Sequence, residues 1–166
     1  MKHFLASMLI LAVLLGLCAC SSADSPEKPI SYYYPVAQLQ YDASGTVISA
    51  ETREGSQLTT LNAMLELYLN GPVDPAYKNP FPQGLQLQTV VLTEDTLYLT
   101  FSDELAALSG MELTVACCAI TLTCLELTTV TYVSIRTESA LLGGEKSITM
   151  NRDCLLLLDR SGEAEN

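Results

Sequence analysis

The chain has 166 residues and carries 19 acidic against eight basic residues, a formal net charge of −11 at pH 7. A chain this acidic, with no cluster of Lys and Arg, repels the phosphate backbone of nucleic acids. We therefore predict a protein that does not bind nucleic acid.

The first twenty residues have the pattern of an export signal. A short basic start, Met1-Lys2-His3, precedes a run from Phe4 to Leu17 without any charge, and Ala19 stands directly before Cys20. This order of segments is typical of a secretory signal peptide. The cysteine after a small residue resembles the lipobox of bacterial lipoproteins. It predicts a signal peptide over 1–19 and a lipid on Cys20, at the outer face of the cell membrane.

Two alternatives to this anchor are weaker. Cys18 follows Leu17, which is bulky for the cleavage pocket of a lipoprotein signal peptidase. An uncleaved membrane helix over 4–19 would measure about 24 Å, at about 1.5 Å per residue, against a hydrocarbon core of about 30 Å. We therefore expect the lipid on Cys20, and not a membrane helix, to attach the protein to the membrane.

Removal of the signal peptide removes His3, the one histidine of the chain. Without histidine the mature chain cannot form a Ser-His-Asp or Cys-His catalytic group, or an imidazole zinc site. Catalysis by paired carboxylates stays open as the weakest alternative. We predict a protein that is not an enzyme and that needs no cofactor and no metal.

The remaining chain suits one domain of about 130 residues, over 30–159, between a polar tether at 20–29 and a polar tail at 160–166. Its first strand is predicted at Ile30–Tyr34, ended by Pro35, and a second strand at Thr46–Thr52. The first strand carries three consecutive tyrosines: Tyr32, Tyr33 and Tyr34. They are a candidate binding surface for sugar or peptide, or ordinary strand residues that half-cover a core.

A helix and a hairpin follow. Ser56 is the candidate N-cap of a helix whose apolar stripe runs from Leu58 to Tyr68, and Asn70-Gly71-Pro72 ends it. The alternating runs over 85–90 and 97–101 predict two strands joined at Glu94-Asp95.

The second half of the domain begins with Asp103-Glu104, acids that suit a helix start. Ser109 and Glu112 match a capping box, which predicts a helix over 110–126. A strand is predicted at 129–136, a turn at Gly143-Gly144, and a last strand at 154–158.

Four cysteines besides Cys20 lie in the mature chain: Cys117, Cys118, Cys124 and Cys154. Cys117 and Cys124 are two helical turns apart, too far for a disulfide. Three interpretations stay open: small buried apolar side chains, a disulfide from Cys154 to a helix cysteine, and a metal site.

The order of these elements, with Leu69-Asn70-Gly71-Pro72, Phe81-Pro82-Gln83-Gly84 and Leu99-Thr100-Phe101-Ser102, resembles the GerMN domain of sporulation and spore germination proteins. The resemblance spans about 30–159. The Cys117-Cys118 pair and the segment after Gly144 depart from the family pattern.

The resemblance implies an α+β fold, a mixed sheet with two main helices packed on one face, similar to ring-building-motif domains. It also implies assembly through protein contacts, with an envelope protein or a second copy as partner, in cell-envelope, sporulation or germination processes. A module that binds cell-wall glycan or peptide is the alternative function.

The anchor gives a first prediction. Cys20→Ala should leave the protein soluble and exported, or its signal uncleaved, because stable anchoring needs acyl chains on that thiol. Fractionation and immunoblotting of cells measure this, with Cys18→Ala as the control that should change little. Processing of the Cys20→Ala protein that globomycin still inhibits would contradict the assignment.

Overall fold

The computed structural model describes residues 29–38, 47–54 and 60–155. Cys20, the signal peptide, Ser56 and Leu58 lie outside these ranges. Six strands and two helices form within them. The strands are β1 (Ile30–Pro35), β2 (Ile48–Arg53), β3 (Leu87–Leu92), β4 (Thr96–Phe101), β5 (Tyr132–Thr137) and β6 (Ile148–Met150), and the helices are α1 (Leu61–Leu69) and α2 (Gly110–Leu127).

The strands divide into two sheets. β1 and β2 form an antiparallel pair, and the other four strands form a mixed sheet in the order β3-β4-β5-β6. β4 and β5 are parallel, whereas the two outer pairings are antiparallel. A parallel pair needs a crossover connection, and α2 supplies it. The prediction of a single α+β domain is confirmed, with its strands in two sheets.

One face of the four-stranded sheet forms the core. Leu97 and Leu99 of β4 alternate with Tyr98, and Val133 and Ile135 of β5 point to the same side. Both helices pack on this side. Their contributions to the same apolar cluster are Leu65, Tyr68, Leu113, Cys117, Ile120 and Cys124.

α2 is, within the described residues, the one helix that is long and apolar enough to cross a membrane. Its middle section is instead buried in the domain, and Ala116, Ala119 and Cys124 are fully enclosed. A core helix of a folded domain passes the same test of length and composition. We therefore assign α2 to the core.

The edge of β1 that faces away from β2 is closed by side chains from the two helices. The backbone N–H of Tyr33 donates to the Thr123 hydroxyl of α2 over 2.9 Å, and its carbonyl accepts from the Tyr68 hydroxyl of α1 over 2.8 Å. The Tyr34 hydroxyl donates in return to the Tyr68 carbonyl over 2.8 Å. These bonds fix β1 to both helices without adding it to the larger sheet.

Most of the predicted elements are confirmed within a few residues. β1 ends at Pro35, the β3–β4 hairpin turns at Glu94-Asp95, and α2 ends one residue later than predicted. The acids Asp103 and Glu104 open a short 3₁₀ turn over Asp103–Ala107. Gly143 and Gly144 form a turn between β5 and β6 with φ of +60° and +95°.

Three details differ from the sequence-based expectation. α1 begins at Leu61, where the Thr60 hydroxyl accepts from the Ala63 N–H as the N-cap. Ser109 occupies the N-cap position of α2, but its side chain makes no capping hydrogen bond. Gly110 has φ +53°, outside the right-handed helical region, so the first turn is not built as a capping box requires.

The third difference concerns the last strand. It lies at 148–150, because Ile148 and Met150 pair with Ile135 and Val133 of β5. The segment predicted to be a strand from Cys154 begins instead with a 3₁₀ turn over Arg152–Cys154, and 156–158 lie outside the described residues. Leu155 is buried without belonging to a strand, which explains the apolar pattern at that position.

The closed edge of β1 gives a second prediction. Tyr68→Phe should lower the free energy of unfolding by about 1–3 kcal/mol, because the Tyr33 carbonyl loses its partner while access to water stays restricted. Urea denaturation followed by circular dichroism measures the change. Tyr98→Phe is the matched control, since the Tyr98 side chain is exposed. Equal effects of the two substitutions would contradict the role of the Tyr68 hydroxyl.

Candidate functional site

The predicted tyrosine surface does not form, because Tyr32 and Tyr34 belong to the core. Their side chains are 1% and 0% exposed, and the Tyr32 and Tyr68 rings stack at 5.6 Å between centroids. Tyr33 points to the other side, is half-buried, and packs on a second apolar cluster with Ile48 and Cys118. Tyr32 and Tyr34 connect β1 to the helices and are not available to a ligand, whereas Tyr33 is half-buried.

A cluster of polar groups surrounds the buried carboxylate of Glu51. Glu51 of β2 is 6% exposed, and its Oε1 accepts from the backbone N–H groups of Val73 and Asp74 over 2.8 and 2.7 Å. Its Oε2 pairs with the Arg53 guanidinium, whose Nε lies at 2.7 Å. Burial alone would raise the pKa of Glu51, but the hydrogen bonds from Asp74, Arg53 and Val73 outweigh burial and lower it.

The guanidinium of Arg53 joins this carboxylate to the tyrosines. It lies over the Tyr32 ring, 4.9 Å from its centroid, and donates to the Gly71 carbonyl over 2.9 Å. Gly71 has φ +89°, and a Cβ there would lie 2.7 Å from the Asn79 side chain. Glu51 and Arg53 therefore hold the turn after α1 against β2, which is a structural role.

A second carboxylate holds the loop after β5. Asp103 accepts from the backbone N–H groups of Ser139 and Ala140 over 2.9 and 3.0 Å, and from the Ser139 hydroxyl. These hydrogen bonds, that of the Ser139 hydroxyl first, lower the pKa of Asp103 to about 2. Asp103 therefore fixes the start of the loop between β5 and β6.

The thiols of α2 are poor nucleophiles. Cys117, Cys118 and Cys124 are at most 2% exposed. Burial raises the pKa of Cys117 to about 12, and it raises the pKa of Cys118 and Cys124 as well. Among the described residues, no group of three or more His, Cys, Asp or Glu side chains is placed to hold a metal ion.

The exposed apolar side chains point to another surface, on the outer face of the four-stranded sheet. Tyr98 of β4 pairs in register with Val91 of β3 and with Ser134 of β5. Tyr132 lies two residues before Ser134 and so stands diagonally next to Tyr98. Val91, Tyr98 and Tyr132 are 53%, 44% and 40% exposed. We call these three residues the outer-face patch.

Polar residues surround the outer-face patch. The hairpin acids Glu94 and Asp95 lie at one end of the sheet, where the Asp95 carbonyl accepts from the Tyr132 N–H over 2.9 Å. At the other end Arg136 donates to the Thr100 hydroxyl over 2.9 Å. An exposed apolar area with a polar rim has the composition of a protein contact surface.

Sequence reasoning missed this patch, although a signal for it existed. In β4 and β5 the positions that alternate with buried Leu and Val residues should be polar if that face meets only water. Tyr98 and Tyr132 occupy two of these positions. An aromatic residue at a strand position that faces solvent was the sign of an exposed apolar surface.

The Asp103 carboxylate gives a third prediction, on pH. Because hydrogen bonding in the folded state lowers its pKa from the ordinary value of 3.8 to about 2, its stabilising effect is complete above about pH 5 and is lost as pH falls to about 2. Asp103→Asn should lower Tm at pH 7 and flatten the dependence of Tm on pH between about 5 and 2. Thermal denaturation at several pH values measures this, and a slope as steep as in the unchanged protein would contradict it.

Comparison with solved structures finds a crystal structure described as "Putative Lipoprotein from Clostridium perfringens". The similarity covers 80% of this chain and 92% of that chain, at 17% sequence identity and a TM-score of 0.47. A TM-score below 0.5 does not establish a shared fold. The search of curated proteins gives no significant match.

Comparison with protein families gives a match that covers most of the domain. A family model described as "Germane: Sporulation and spore germination" matches residues 31–142. This range extends from β1 through β5 and includes both helices. The resemblance to a sporulation and spore germination family is thereby confirmed, and the chain belongs to the Germane family of sporulation and spore germination.

Proposed function

We propose that this protein is a lipid-anchored component of the cell envelope that acts through protein contacts and not through catalysis. The observation that carries the proposal is the outer-face patch of Val91, Tyr98 and Tyr132, apolar and exposed on a folded sheet. Membership of the Germane family favours a process of sporulation or germination.

The patch has the features that a contact surface needs. Tyrosine provides a large contact area with little loss of side-chain entropy, and it is enriched in protein interfaces. The three side chains lie on neighbouring strands in fixed register, so the surface is formed before a partner arrives. A preformed surface avoids the cost of ordering a loop on binding.

Charge narrows the class of partner. The whole chain has a net charge of −11, which disfavours nucleic acid and anionic lipid surfaces. Attachment to the membrane would then depend on the lipid at Cys20. The partner we propose is an envelope protein, or a second copy of this chain, that presents an apolar surface.

The described carboxylates support a non-catalytic role. Glu51 and Asp103, with their pKa values lowered, are ionised at neutral pH and hydrogen-bonded to backbone N–H groups. A general acid or base works best with a pKa near the working pH, which neither of these groups has.

A fourth prediction tests the patch in the full-length, lipidated protein in its own cells. A photo-crosslinking residue, p-benzoylphenylalanine, replaces Tyr98 in one strain and Met111 in another. Met111 is the matched control, because it is an exposed apolar residue on α2, away from the sheet face. We expect a defined protein adduct from position 98, at least about tenfold more abundant than from position 111.

A double substitution, Tyr98→Ser with Tyr132→Ser, should reduce co-purification of the same adduct partner about tenfold or more, while circular dichroism stays unchanged. Adducts from position 111 and none from position 98 would show that the contact surface lies on α2 and not on the outer-face patch. Retention on purified peptidoglycan that the double substitution abolishes would favour wall binding instead. Release of muropeptides by the repurified protein would overturn the non-enzymatic role.

A further inference from the structure

The cysteines of α2 face two different sides of the helix. Cys117 and Cys124 point into the main core beneath the four-stranded sheet. Cys118 is rotated by one residue and belongs to the second cluster, with Ala119 and Leu122 of α2, Ile48 and Leu155. The side chains of successive helix residues point in directions about 100° apart, so Cys117 and Cys118 lie in different clusters.

The chain after β6 lies against this second side of α2. Cα atoms of α2 and of the 152–154 turn approach within 8 Å. The Asn151 side chain accepts from the Cys154 N–H over 3.1 Å, and this fixes the turn. Leu155, the next residue, is 1% exposed and packs in the same cluster as Cys118.

From this placement we infer that Cys118 and Cys154 form a reversible disulfide that ties the end of the domain to α2. Disulfides occur between Cα atoms about 4.4–6.8 Å apart, and Cα atoms of α2 and of the turn that carries Cys154 approach within 8 Å. Cys117 and Cys124 face the main core instead and are not partners in this proposal. The inference does not depend on the outer-face patch.

The reaction needs an oxidant, which we identify by class as a low-molecular-weight disulfide or the disulfide form of a thiol oxidoreductase. Cys154 is exposed and is the first thiol to meet it. Its thiolate attacks the disulfide, forming a mixed disulfide and releasing one thiol. The Cys118 thiolate then attacks the Cys154 sulfur and releases the second thiol. The two cysteines lose two protons and two electrons, and the oxidant becomes two thiols.

The second step should be the slow one. Burial raises the pKa of the Cys118 thiol, and a nearby Cys154 thiolate raises it further. A higher pKa leaves a smaller fraction of Cys118 as thiolate, so its attack on the mixed disulfide is slower. The Cys118 side chain is also only 2% exposed, which limits its access to the mixed disulfide. The disulfide should therefore form over minutes rather than seconds, and it should be lost slowly once formed.

The test uses the full-length protein in detergent-solubilised membranes, equilibrated with oxidised glutathione and then quenched with acid and N-ethylmaleimide. Tryptic digestion without reductant separates Cys118 on peptide 79–136 from Cys154 on peptide 153–160. Mass spectrometry should find these peptides linked, at the sum of their masses less two hydrogens, plus one N-ethylmaleimide on each of the other two cysteines of peptide 79–136. The link should disappear after reduction.

Three variants identify the partner. Cys117→Ala and Cys124→Ala should keep the linked peptide, and Cys118→Ala should lower it at least about tenfold. A second measurement uses the unchanged protein, in which no substitution can disturb folding. Oxidation should raise its Tm by several degrees, because the disulfide closes the loop between 118 and 154 and so restricts the unfolded chain. A link that persists in Cys118→Ala, or Cys154 found only as its glutathione adduct in the unchanged protein, would overturn the inference.

Discussion

The fold depends on the way in which β1 is held between the two helices. Both backbone polar groups of Tyr33 have a side-chain partner. The N–H donates to Thr123 of α2, and the carbonyl accepts from Tyr68 of α1. A buried peptide group without a partner costs about 1–3 kcal/mol, so the two bonds select one register. A shift by one residue would also turn Tyr32 and Tyr34 out of the core. The position of β1 is therefore fixed both by hydrogen bonds and by packing.

The same tyrosines connect this contact to the electrostatics of the domain. Tyr34 accepts from Arg53 over 3.3 Å while it donates to the Tyr68 carbonyl, and burial raises its pKa. Arg53 in turn pairs with Glu51, which holds the turn after α1. Removing one member of a buried ion pair leaves an uncompensated charge. The cluster thus acts as one unit, and its polar residues serve the fold.

Sequence patterns predicted most of the elements but not their arrangement. The change of apolar period from 3.6 to 2 after Gly71 located α1, β3 and β4, because side-chain periodicity follows directly from backbone geometry. Pairing between distant strands has no such local signal, so the division into two sheets could not be predicted. The backbone contacts of Glu51 and Asp103 were hidden for the same reason, since the N–H groups that they accept from lie 22 to 37 residues away.

The two faces of the larger sheet explain why the candidate surface lies where it does. Parallel strands are usually covered on both faces, yet only the inner face of the β4–β5 pair is covered by the described helices. Beside β6 the outer face carries hydroxyls: the exposed Thr149 donates to the buried Ser134 over 3.1 Å. Near the hairpin it carries Val91, Tyr98 and Tyr132 instead. Solubility does not require these three side chains, and they are the surface on which the proposed protein contact rests.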